Sequence, residues 1–515
     1  MANFQLFNTQ QAKAPASDTL NAAKAPAYAY NAKHRLAQLA VTGCLNSTFY
    51  TSPEGQLEAV LQLVNEVDSR FVVQAARYAR QQGHMKDMPA LLLAALTAQR
   101  SALVPELFAQ VVDNGKMLRN FVQILRSGAT GRKSLGSQPK RLVQNWLNSA
   151  TERQLLQASV GNQPSLADVV KMVHPKPSDA WRAAFFAWLI GKPVDAQALP
   201  ELTRALLAFR SGATTAVPQV PFQLLGNETL SREQWAEQAH NMGWQGLRMN
   251  LNTLARHGAF QVPGCTEYVA ARLADAAEVA KARVYPYQLL AAYRMAGDEV
   301  PQPVREALQD ALELSLANVP ALQGAVVVCP DVSGSMHSPV TGYRQGATTA
   351  VRCIDVAALV AAAVLRKQPA ARVMPFEVGV VDIRLNSRDS VMSNAQKLAA
   401  IGGGGTNCSA PLAQLANAKC KVDTLILVSD NESWIDARHG ATETLRQWER
   451  IKAINPQARL VCIDMQPGAT TQAPDREDIL NVGGFSDAVF DVIQQFTAGN
   501  YGAQHWVEAI EAMAP

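Results

Sequence analysis

Side chains that can bind a metal ion follow two strongly apolar segments in the last third of the chain. Asp331, Ser333 and Ser335 come directly after the first segment, and Asp430 ends the second. Thr406 lies between them and follows a run of four glycines, whose flexible backbone permits a close approach. Carboxylate and hydroxyl oxygens, supplemented by water, suit the octahedral coordination of Mg²⁺, with Mn²⁺ as the second choice. The candidate metal ligands are therefore Asp331, Ser333, Ser335, Thr406 and Asp430.

Each loop taken alone has another interpretation. An Asp-x-Ser-Gly-Ser segment is often only a turn that side-chain hydrogen bonds close. The four glycines could cradle a phosphate, but the Lys and the Ser or Thr of a P-loop do not follow them. Ser335 would need a base to act as a nucleophile, and His337, only two residues away, is poorly placed for this. The three loops together favour a metal site.

The same loops offer little support for catalysis. We find no plausible catalytic triad, and the loops supply too few acids for a two-metal nuclease, with only Asp464 ending a further strand. We therefore expect that the protein is no enzyme, and we assign Asp331 and Asp430 to binding.

A parallel sheet would bring these loops to one edge. From residue 324 to residue 515, short apolar segments alternate with helical ones, as in the strand GAVVVCPD, the helix TTAVRCIDVAALVAAAVLR and the strand DTLILVSD. This alternation predicts an α/β doubly wound, Rossmann-like fold with helices on both faces of the sheet. Ligands of such sheets bind beyond the carboxyl ends of the strands, where Asp331 and Asp430 stand in the sequence.

The preceding part of the chain, from about residue 56 to residue 318, is typical of consecutive helices. Apolar residues recur at three- and four-residue spacing in LEAVLQLVNEVDSRFVVQAARYA, DMPALLLAALTAQ and VREALQDALELSLANV, and short Gly, Pro, Ser or Asn breaks separate such segments. The pattern predicts an α-helical solenoid of HEAT-like repeats. An irregular helical bundle has the same periodicity, and no strict internal repeat decides between the two.

The composition is that of a globular protein with several domains, because 48% of the 515 residues are hydrophobic and 17% are charged. No run of uncharged apolar residues is long enough to cross a membrane, and the first residues do not resemble a secretion signal. The seven cysteines are scattered, which argues against a disulfide framework or a zinc cluster. We therefore expect a cytoplasmic protein without a membrane partner.

Positive charge is concentrated in the helical part. Residues 1–323 carry 31 Lys and Arg against 24 Asp and Glu, whereas residues 324–515 carry 16 against 19. A polyanionic partner would therefore bind the first part. In one stretch of this part, three glycines give the backbone the flexibility to bring several cations close to phosphate groups. A basic surface that only contacts solvent would have the same composition. The basic residues of this stretch are Arg119, Arg126, Arg132, Lys133, Lys140 and Arg141.

Five segments of the helical part resemble, in the same order, the TROVE module of the Ro autoantigen family. They are LAVTGCLNSTFYTSPEGQL, LRNFVQILRSGATGRKSLGSQPKRLVQNWL, SLADVVKMVHPKPSDAW, LRMNLNTLARHGAF and EVAKARVYPYQLLAAY. The order Asp-x-Ser-x-Ser, Thr, Asp on three successive loops resembles the metal-ion-dependent adhesion site of von Willebrand factor A domains. A TROVE module followed by an A domain is the architecture of the Ro family, and the similarity is to its bacterial members, the Ro sixty-related proteins.

The resemblance implies three parts: an N-terminal extension over residues 1–26, a TROVE-like RNA-binding module over residues 27–320 and an A domain over residues 324–515. It also implies a monomeric ring of helical repeats that the A domain closes. Members of the family bind small noncoding Y RNAs on the outer face of the ring and admit the single-stranded end of misfolded RNA to its central hole. We therefore expect Y-like and misfolded RNA as partners, a role in RNA quality control, and an exoribonuclease that the protein tethers or gates.

A further set of RNA-binding candidates comes from the family's His-x-Lys-Pro motif, which this chain matches at its 174th to 177th residues. An imidazole can stack on an exposed base or donate to a phosphate. A lone histidine is also often structural, and the match to the motif favours the functional interpretation. The residues added are Lys171, His174 and Lys176.

The last resembling segments leave some residues open. Tyr285 and Tyr287 are expected to seat one repeat on the next, whereas Arg283 could do the same or face RNA. Arg248 and Asn250 also lie in a matched segment, without an assigned role.

A metal-dependent protein–protein adaptor is the alternative function. In the A-domain family the ion keeps an open coordination position, which an acidic side chain of a partner can fill. In this alternative the metal site recruits the partner, and the helical repeats serve as a scaffold.

Overall fold

The computed structural model describes residues 14–225, 230–284, 286–316, 319, 321–343, 351–436, 440–484, 486–500 and 504–513. The chain divides into two compact units. The α/β unit combines Met1–Leu57 with Asn318–Ala512, and the helical unit combines Glu58–Ala317 with Met513–Pro515. The α/β unit is therefore discontinuous in the sequence.

Three short elements precede the helical unit: β1 (Thr19–Leu20), β2 (Pro26–Ala29) and α1 (Ala32–Thr42). Consecutive helices then follow one another. They are α2 (Pro53–Glu66), α3 (Ser69–Gln81), α4 (Asp87–Ala98), α5 (Val104–Val111), α6 (Gly115–Ser127), α7 (Ser137–Ser149), α8 (Glu152–Ala158), α9 (Leu166–Val173), α10 (Ala180–Leu189), α11 (Glu201–Arg210), α12 (Arg232–Asn241), α13 (Trp244–Met249), α14 (Leu251–Arg256), α15 (Cys265–Leu273), α16 (Ala276–Ala282), α17 (Pro286–Met295) and α18 (Gln302–Ser315).

Helix α6 illustrates why these segments are helical. Met117, Phe121 and Leu125 are fully buried on one face, at the four-residue spacing that an amphipathic helix requires. The side chain of Asn114 caps the start, because it accepts hydrogen bonds from two N–H groups of the first turn. Gly128 follows the last turn with a φ of 89°, a conformation that favours glycine.

Helices that are close in the sequence pack against one another along the unit. In the first half α3 packs on α4, α4 on α6, and α6 on both α8 and α9. In the second half α15, α16 and α17 all pack on α18. The predicted array of helical repeats is therefore confirmed.

The α/β unit resumes after the helical unit with strands and helices that alternate. Its elements are β3 (Val326–Pro330), α19 (Cys353–Lys367), β4 (Arg372–Val373), α20 (Val391–Ala399), α21 (Ala410–Asn417), β5 (Thr424–Ser429), α22 (Glu443–Ile454), β6 (Arg459–Asp464), β7 (Thr470–Thr471), β8 (Ile479–Gly483), α23 (Asp487–Thr497) and α24 (His505–Glu511). None of the described helices of the chain is long and apolar enough to cross a membrane.

Five of these strands form one parallel sheet in the order β4-β3-β5-β6-β8. The register pairs Pro330 of β3 with Val428 of β5, and Ser429 of β5 with Asp464 of β6. All residues of β3, β5 and β8 are buried, as in sheets that helices cover on both faces. The predicted doubly wound α/β fold is therefore confirmed.

The N-terminal residues join the α/β unit through main-chain pairing. Strand β2 lies between β1 and β7 in a small antiparallel sheet, where Tyr28 pairs with Thr471. Helix α1 packs on β8, where a Cβ atom on Gly483 would lie 2.8 Å from Cδ of Gln38. The sequence-based division assigned residues 27–57 to the helical module, and the structure differs because strands this short leave no alternating pattern to detect.

Replacing Gly115 by Ala tests the close packing of α6 on α8. The added methyl carbon would lie 2.6 Å from Cα of Ala158, so the two helices would have to move apart. We expect the free energy of unfolding to fall by about 1–3 kcal/mol, as in other overpacked cores, which urea denaturation would measure.

Gly246→Ala in α13 is the matched control for this substitution. There the nearest atom, Cβ of Met242, would lie 3.8 Å from the added carbon, which is ordinary contact. Helix propensity should then leave the control unchanged or slightly stabilised. Equal destabilisation of the two variants would contradict the close contact at Gly115.

Candidate metal centre and basic surface

Two acids leave adjacent strands at the same edge of the parallel sheet. Asp331 follows β3, Asp430 follows β5, and these strands are paired in register up to Pro330 and Val428. The chain leaves β3, passes through α19 to β4 on one side, and later returns to β5 on the other side. A reversal of strand order of this kind opens a crevice at the carboxyl edge, and the acids border it.

The Asp331 carboxylate is fully buried and hydrogen-bonded at both oxygens. Oδ1 accepts from the backbone N–H of Ser333 at 2.8 Å, and Oδ2 accepts from the hydroxyl of Ser429 at 2.7 Å. Burial and the neighbouring Asp430 carboxylate raise the pKa of Asp331. The protein therefore fixes this carboxylate in place while making its negative charge costly.

Asp430 is less well satisfied than Asp331. Its Oδ1 accepts from the backbone N–H of Glu432 at 3.3 Å, whereas its buried Oδ2 has no hydrogen-bond partner among the described residues. Burial raises the pKa of Asp430 as well, and the nearby hydroxyls of Ser335 and Tyr50 offset part of this effect. Two buried carboxylates side by side, one with an unused oxygen, are arranged as a cation site would require.

Three hydroxyl groups complete the set of oxygen ligands. Oγ of Ser333 lies 3.4 Å from Oγ of Ser335, and Oγ1 of Thr406 donates to Oγ of Ser333 at 2.9 Å. All three side chains are nearly or fully buried. The structure therefore brings together all five predicted ligand residues, although whether they hold a metal stays a prediction.

Glycine is required where the second loop meets the first. The backbone N–H of Gly334 donates to the carbonyl of Gly404 at 2.9 Å. A Cβ atom on Gly403 would lie 3.3 Å from Cα of Gly334, and one on Gly404 would lie 2.7 Å from Oε2 of Glu377. The run of glycines thus places Thr406 beside the acids by allowing two backbones to touch.

Two residues that the sequence analysis did not identify also border the site. The buried Glu432 carboxylate accepts from the backbone N–H groups of Ala22 and Ala23 at 2.8 and 3.4 Å, and burial together with Asp430 raises its pKa to about 7. Burial, followed by the charge of Asp430, raises the pKa of the Tyr50 hydroxyl. Glu432 was detectable from its position two residues after Asp430, whereas Tyr50 is remote in sequence and gave no signal.

The centre differs in composition from a cluster of metal-binding acids, histidines or cysteines. Among the residues that the structure describes, no group of three or more such side chains is placed to hold one ion. Hydroxyl oxygens provide three of the five candidate ligands, as the sequence indicated.

Four of the nine RNA-binding candidates lie at the end of α6 and around the end of α9. Nη1 of Arg126, from α6, contacts Sδ of Met172 in α9 at 2.6 Å. Helix α7 holds the segment after α9, because the side-chain amides of Gln144 and Asn148 donate to the carbonyls of Val173 and Lys176 at 2.6 and 2.8 Å. The candidates gathered here are Arg126, Lys171, His174 and Lys176.

His174 ends α9 in the left-handed conformation, with a φ of 47°. Its side chain is exposed, as are those of Lys171 and Lys176. Positive φ is uncommon for residues other than glycine, although histidine adopts it more readily than most.

Three other candidates, Lys133, Lys140 and Arg141, carry no counter-charge. Lys133 and Arg141 are exposed and Lys140 is half-buried. None of the three forms an ion pair with a residue in the described part of the chain. They are available to an anion, and their role in binding stays a prediction.

The remaining two candidates hold the protein's own backbone. The guanidinium of Arg119 donates to the carbonyls of Val160 and Pro164 at 2.6 and 3.3 Å, and burial lowers its pKa. The guanidinium of Arg132 donates to the carbonyls of Thr97 and Leu135 at 3.0 and 2.8 Å. These bonds distinguish both arginines from the exposed candidates, and no local sequence pattern revealed them.

The structure also places most of the other residues named in the last resembling segments. Burial raises the pKa of Tyr287 to about 12, and the side-chain amide of Asn250 donates to the carbonyl of Gly246 at 2.7 Å. Tyr285 lies outside the described residues. Arg248 and Arg283 line a common cavity in the helical unit.

Comparison with known proteins places this geometry in context. The family model described as Ro60 vWA domain matches residues 325–497. The RNA-binding protein RO60 of Deinococcus radiodurans is 27% identical over 508 residues, which cover 92% of this chain and 94% of that protein. The RNA-binding protein RO60 of Caenorhabditis elegans is 23% identical over 239 residues, which cover 44% of this chain and 36% of that protein.

A solved structure has the same fold. The crystal structure of the Deinococcus radiodurans RO (RSR) protein matches with a TM-score of 0.64 and 24% identity, and the match covers 92% of this chain and all of that chain. The chain is therefore similar to Ro proteins over both units, and the match to the Ro60 vWA domain covers the sheet whose carboxyl edge carries the five candidate ligands.

Proposed function

We propose that the protein binds RNA and catalyses no reaction. The observation that carries this proposal is the group of exposed basic residues where α6, α7 and the end of α9 meet. Lys171, His174 and Lys176 lie within one turn of the end of α9, and among the described residues none of them forms an ion pair. The names of the relatives in Deinococcus radiodurans and Caenorhabditis elegans, which call both RNA-binding proteins, support the same function.

The chemistry of these side chains fits a phosphodiester backbone with accessible bases. Lysines supply point charges to phosphate oxygens, and each such contact releases a counterion from the RNA. The exposed imidazole of His174 is suited to stack on an unpaired base or to donate to a phosphate. The basic residues Arg126, Lys133, Lys140 and Arg141 extend the positive surface along α6 and α7, and Arg119 and Arg132 support it from within.

The resemblance to the Ro family supports a finer proposal. We propose that the protein acts in the cytoplasm in RNA quality control, as a monomeric ring with Y-like RNAs on its basic outer surface. Single-stranded ends of misfolded RNA would enter the central hole. An exoribonuclease would be a protein partner, and RNA degradation by the purified protein would come from that bound nuclease.

We also propose that the α/β unit holds Mg²⁺, or else Mn²⁺, at Asp331, Ser333, Ser335, Thr406 and Asp430. Two buried carboxylates with raised pKa values and an unpartnered Oδ2 on Asp430 support an ion there. The ion would neutralise their repulsion and offer an open position to a ligand. It would serve binding or stability and not catalysis.

Replacing both Lys171 and Lys176 by Gln should weaken RNA binding. Loss of two phosphate contacts is expected to reduce the affinity at least tenfold at low salt and to reduce the slope of log K against log salt by roughly 1 to 2. Fluorescence anisotropy with a labelled, partly single-stranded RNA between 50 and 200 mM salt would measure both, and these conditions span the range over which several phosphate contacts matter.

A variant with Lys192→Gln and Arg256→Gln is the matched control. These are exposed cations of the same unit, so the control removes the same charge. It should bind almost as the unaltered protein does. Equal losses in both double variants would refute the assigned surface, and a flat salt dependence of the unaltered protein would refute RNA binding through phosphates.

Asp430→Asn tests the metal proposal. At a Mg²⁺ concentration of 100 times its Kd, binding stabilises the folded state by about 2.7 kcal/mol, which corresponds to a rise in Tm of roughly 5–10 °C for a unit of this size. The variant should lose most of this rise. In chelated buffer it should melt at or above the Tm of the unaltered protein, because one of two repelling buried charges is gone.

Asp389→Asn serves as the control, since Asp389 only pairs with Lys397 at the surface of the same unit. It should keep the full response to Mg²⁺ in differential scanning calorimetry. If Asp430→Asn kept that response too, the metal site would be wrongly placed.

A metal-dependent adaptor is a second candidate function, which one observation favours. Val378, Trp434 and Ile435 are exposed and lie beside the loop that carries Thr406, where the backbone N–H groups of Trp434 and Ile435 donate to the Thr406 carbonyl at 3.0 and 3.2 Å. Exposed apolar side chains next to an ion with an open position suit a protein partner that presents an acid.

Chelation separates this function from RNA binding. Removing the metal, or replacing Trp434 and Ile435 by Ser, should release a copurifying protein partner while the affinity for RNA stays within twofold. Recovery of the partner from affinity resin and anisotropy on the same preparation would measure the two effects. A parallel loss of both, with the fold intact by circular dichroism, would argue against separate functions.

A further inference from the structure

A short segment of the N-terminal part lies beside the loops of the candidate metal site. Residues 44–50 lie between α1 and α2 and belong to the α/β unit. We refer to this segment as the strap. It ends in two adjacent aromatic residues, Phe49 and Tyr50, whose rings meet edge to face with centroids 4.8 Å apart.

Hydrogen bonds attach the strap to the chain that follows the first metal loop. The carbonyl of Ser47 accepts from the backbone N–H of Tyr343 at 2.6 Å, and the two residues form an isolated antiparallel bridge. The side-chain amide of Asn46 donates to the carbonyl of Thr341 at 2.9 Å. The strap is therefore held only a few residues after the candidate ligand Ser335.

The strap is fixed on both of its sides. On one side, the buried side chain of Gln56 donates to the carbonyl of Asn46 at 2.9 Å and accepts from the backbone N–H of Cys44 at 3.3 Å. On the other side lies Gly342, which has a φ of 72°. A Cβ atom there would lie 2.7 Å from the carbonyl oxygen of Ser47, so the two backbones touch and their relative position is set by contact.

The position of the strap brings the Tyr50 hydroxyl to two of the candidate metal ligands. This hydroxyl is within hydrogen-bonding reach of the Ser335 hydroxyl and of the Asp430 carboxylate, where it offsets part of the rise in pKa that burial causes. The Tyr50 side chain is half-buried, whereas its neighbour Phe49 is exposed. The strap thus directs the tyrosine to the site and the phenylalanine to solvent.

A phenol at this place can serve a metal ion as the serine and threonine hydroxyls do. Burial, followed by the charge of Asp430, raises the pKa of Tyr50, so the hydroxyl keeps its proton at neutral pH. A hydroxyl group can donate this proton to a carboxylate while a lone pair of the same oxygen faces an ion. Neutral oxygens are ligands that Mg²⁺ accepts beside carboxylates.

We propose that Tyr50 is an internal ligand of the metal site and covers the coordination position that would otherwise be open to an external group. The inference rests on the metal site proposed above, and it adds one protein oxygen to the five candidate side chains. An acid that a partner presents must then displace the Tyr50 hydroxyl. The strap therefore determines how tightly the site holds its ion and how readily it accepts an external ligand.

Tyr50→Phe tests the ligand role, because it keeps the ring and removes only the hydroxyl. Isothermal titration calorimetry with Mg²⁺ on the full chain should show about tenfold weaker binding to the variant, since one polar contact with a charged group is worth roughly that factor. Tyr343→Phe is the matched control. It removes the same hydroxyl from an exposed side chain of the same unit and should bind Mg²⁺ as the unaltered protein does.

Acetate is the probe for the covered position. With the free Mg²⁺ concentration held constant, acetate should strengthen the binding of Mg²⁺ to Tyr50→Phe, because it can occupy the position that the hydroxyl has left. It should have no such effect on the unaltered protein or on Tyr343→Phe, where the position is covered.

Gly342→Ala tests the strap without altering the tyrosine. The added methyl group would push the strap away from the first metal loop, and Mg²⁺ binding should weaken about as much as in Tyr50→Phe. Its matched control is Gly499→Ala, at a glycine with a φ of 81°. There the nearest atom, Nη2 of Arg459, would lie 3.3 Å from the added carbon, at the end of a flexible side chain.

The double variant of Gly342→Ala and Tyr50→Phe separates an effect through the tyrosine from general damage to the loop. If the strap acts through Tyr50, the double variant binds Mg²⁺ no more weakly than either single variant, because both remove the same contact. Circular dichroism and melting curves of all the variants would verify the fold.

Three results would overturn the inference and leave the metal site in place. They are equal Mg²⁺ affinity of the unaltered protein and Tyr50→Phe, an equal effect of acetate on these two proteins, and additive losses in the double variant. Absence of Mg²⁺ binding by the unaltered protein would instead contradict the proposed metal site, and this inference with it.

Discussion

The burial of two like charges at the ends of adjacent strands is the constraint around which the α/β unit is arranged. Asp331 and Asp430 cannot move apart, because β3 and β5 are paired in register up to the preceding residues. The neighbouring groups are hydroxyls, backbone N–H groups and glycines that admit a second loop. The hydroxyls and N–H groups stabilise negative charge in a medium of low dielectric constant, and the hydroxyls of Ser335 and Tyr50 do so at Asp430.

The two units carry functional side chains of opposite charge. The α/β unit buries acids at the carboxyl edge of its sheet, whereas the helical unit exposes basic side chains on α6 and α7 and at the end of α9. The net charge of residues 1–323 is positive and that of residues 324–515 is negative, in agreement with these local charges. The proposed functions of both units, RNA binding and metal binding, are accordingly forms of electrostatic recognition.

The sequence predicted what short-range rules determine. An apolar run that ends in an acid locates a strand end, so five residues that the structure brings together could be named as candidate ligands, and three- and four-residue spacing located the helices. Contacts between distant segments leave no such trace. The hydrogen bonds of Arg119 and Arg132 to backbone carbonyls up to 45 residues away could therefore not be predicted. The pairing of β2 with β7 could not be predicted from the sequence either, because main-chain hydrogen bonds do not depend on the side-chain pattern.

That pairing has a consequence for how the chain is made. Residues up to Leu57 complete a unit whose other residues begin at Asn318, with Ala22 and Ala23 bonded to Glu432. During synthesis β2 and α1 leave the ribosome before β7 and β8, with which they pack, have been translated. They can therefore reach their final places only after the entire helical unit has been synthesised. Because domains generally fold as they emerge, the helical unit can fold first, and the α/β unit closes last, when both ends of the chain are present.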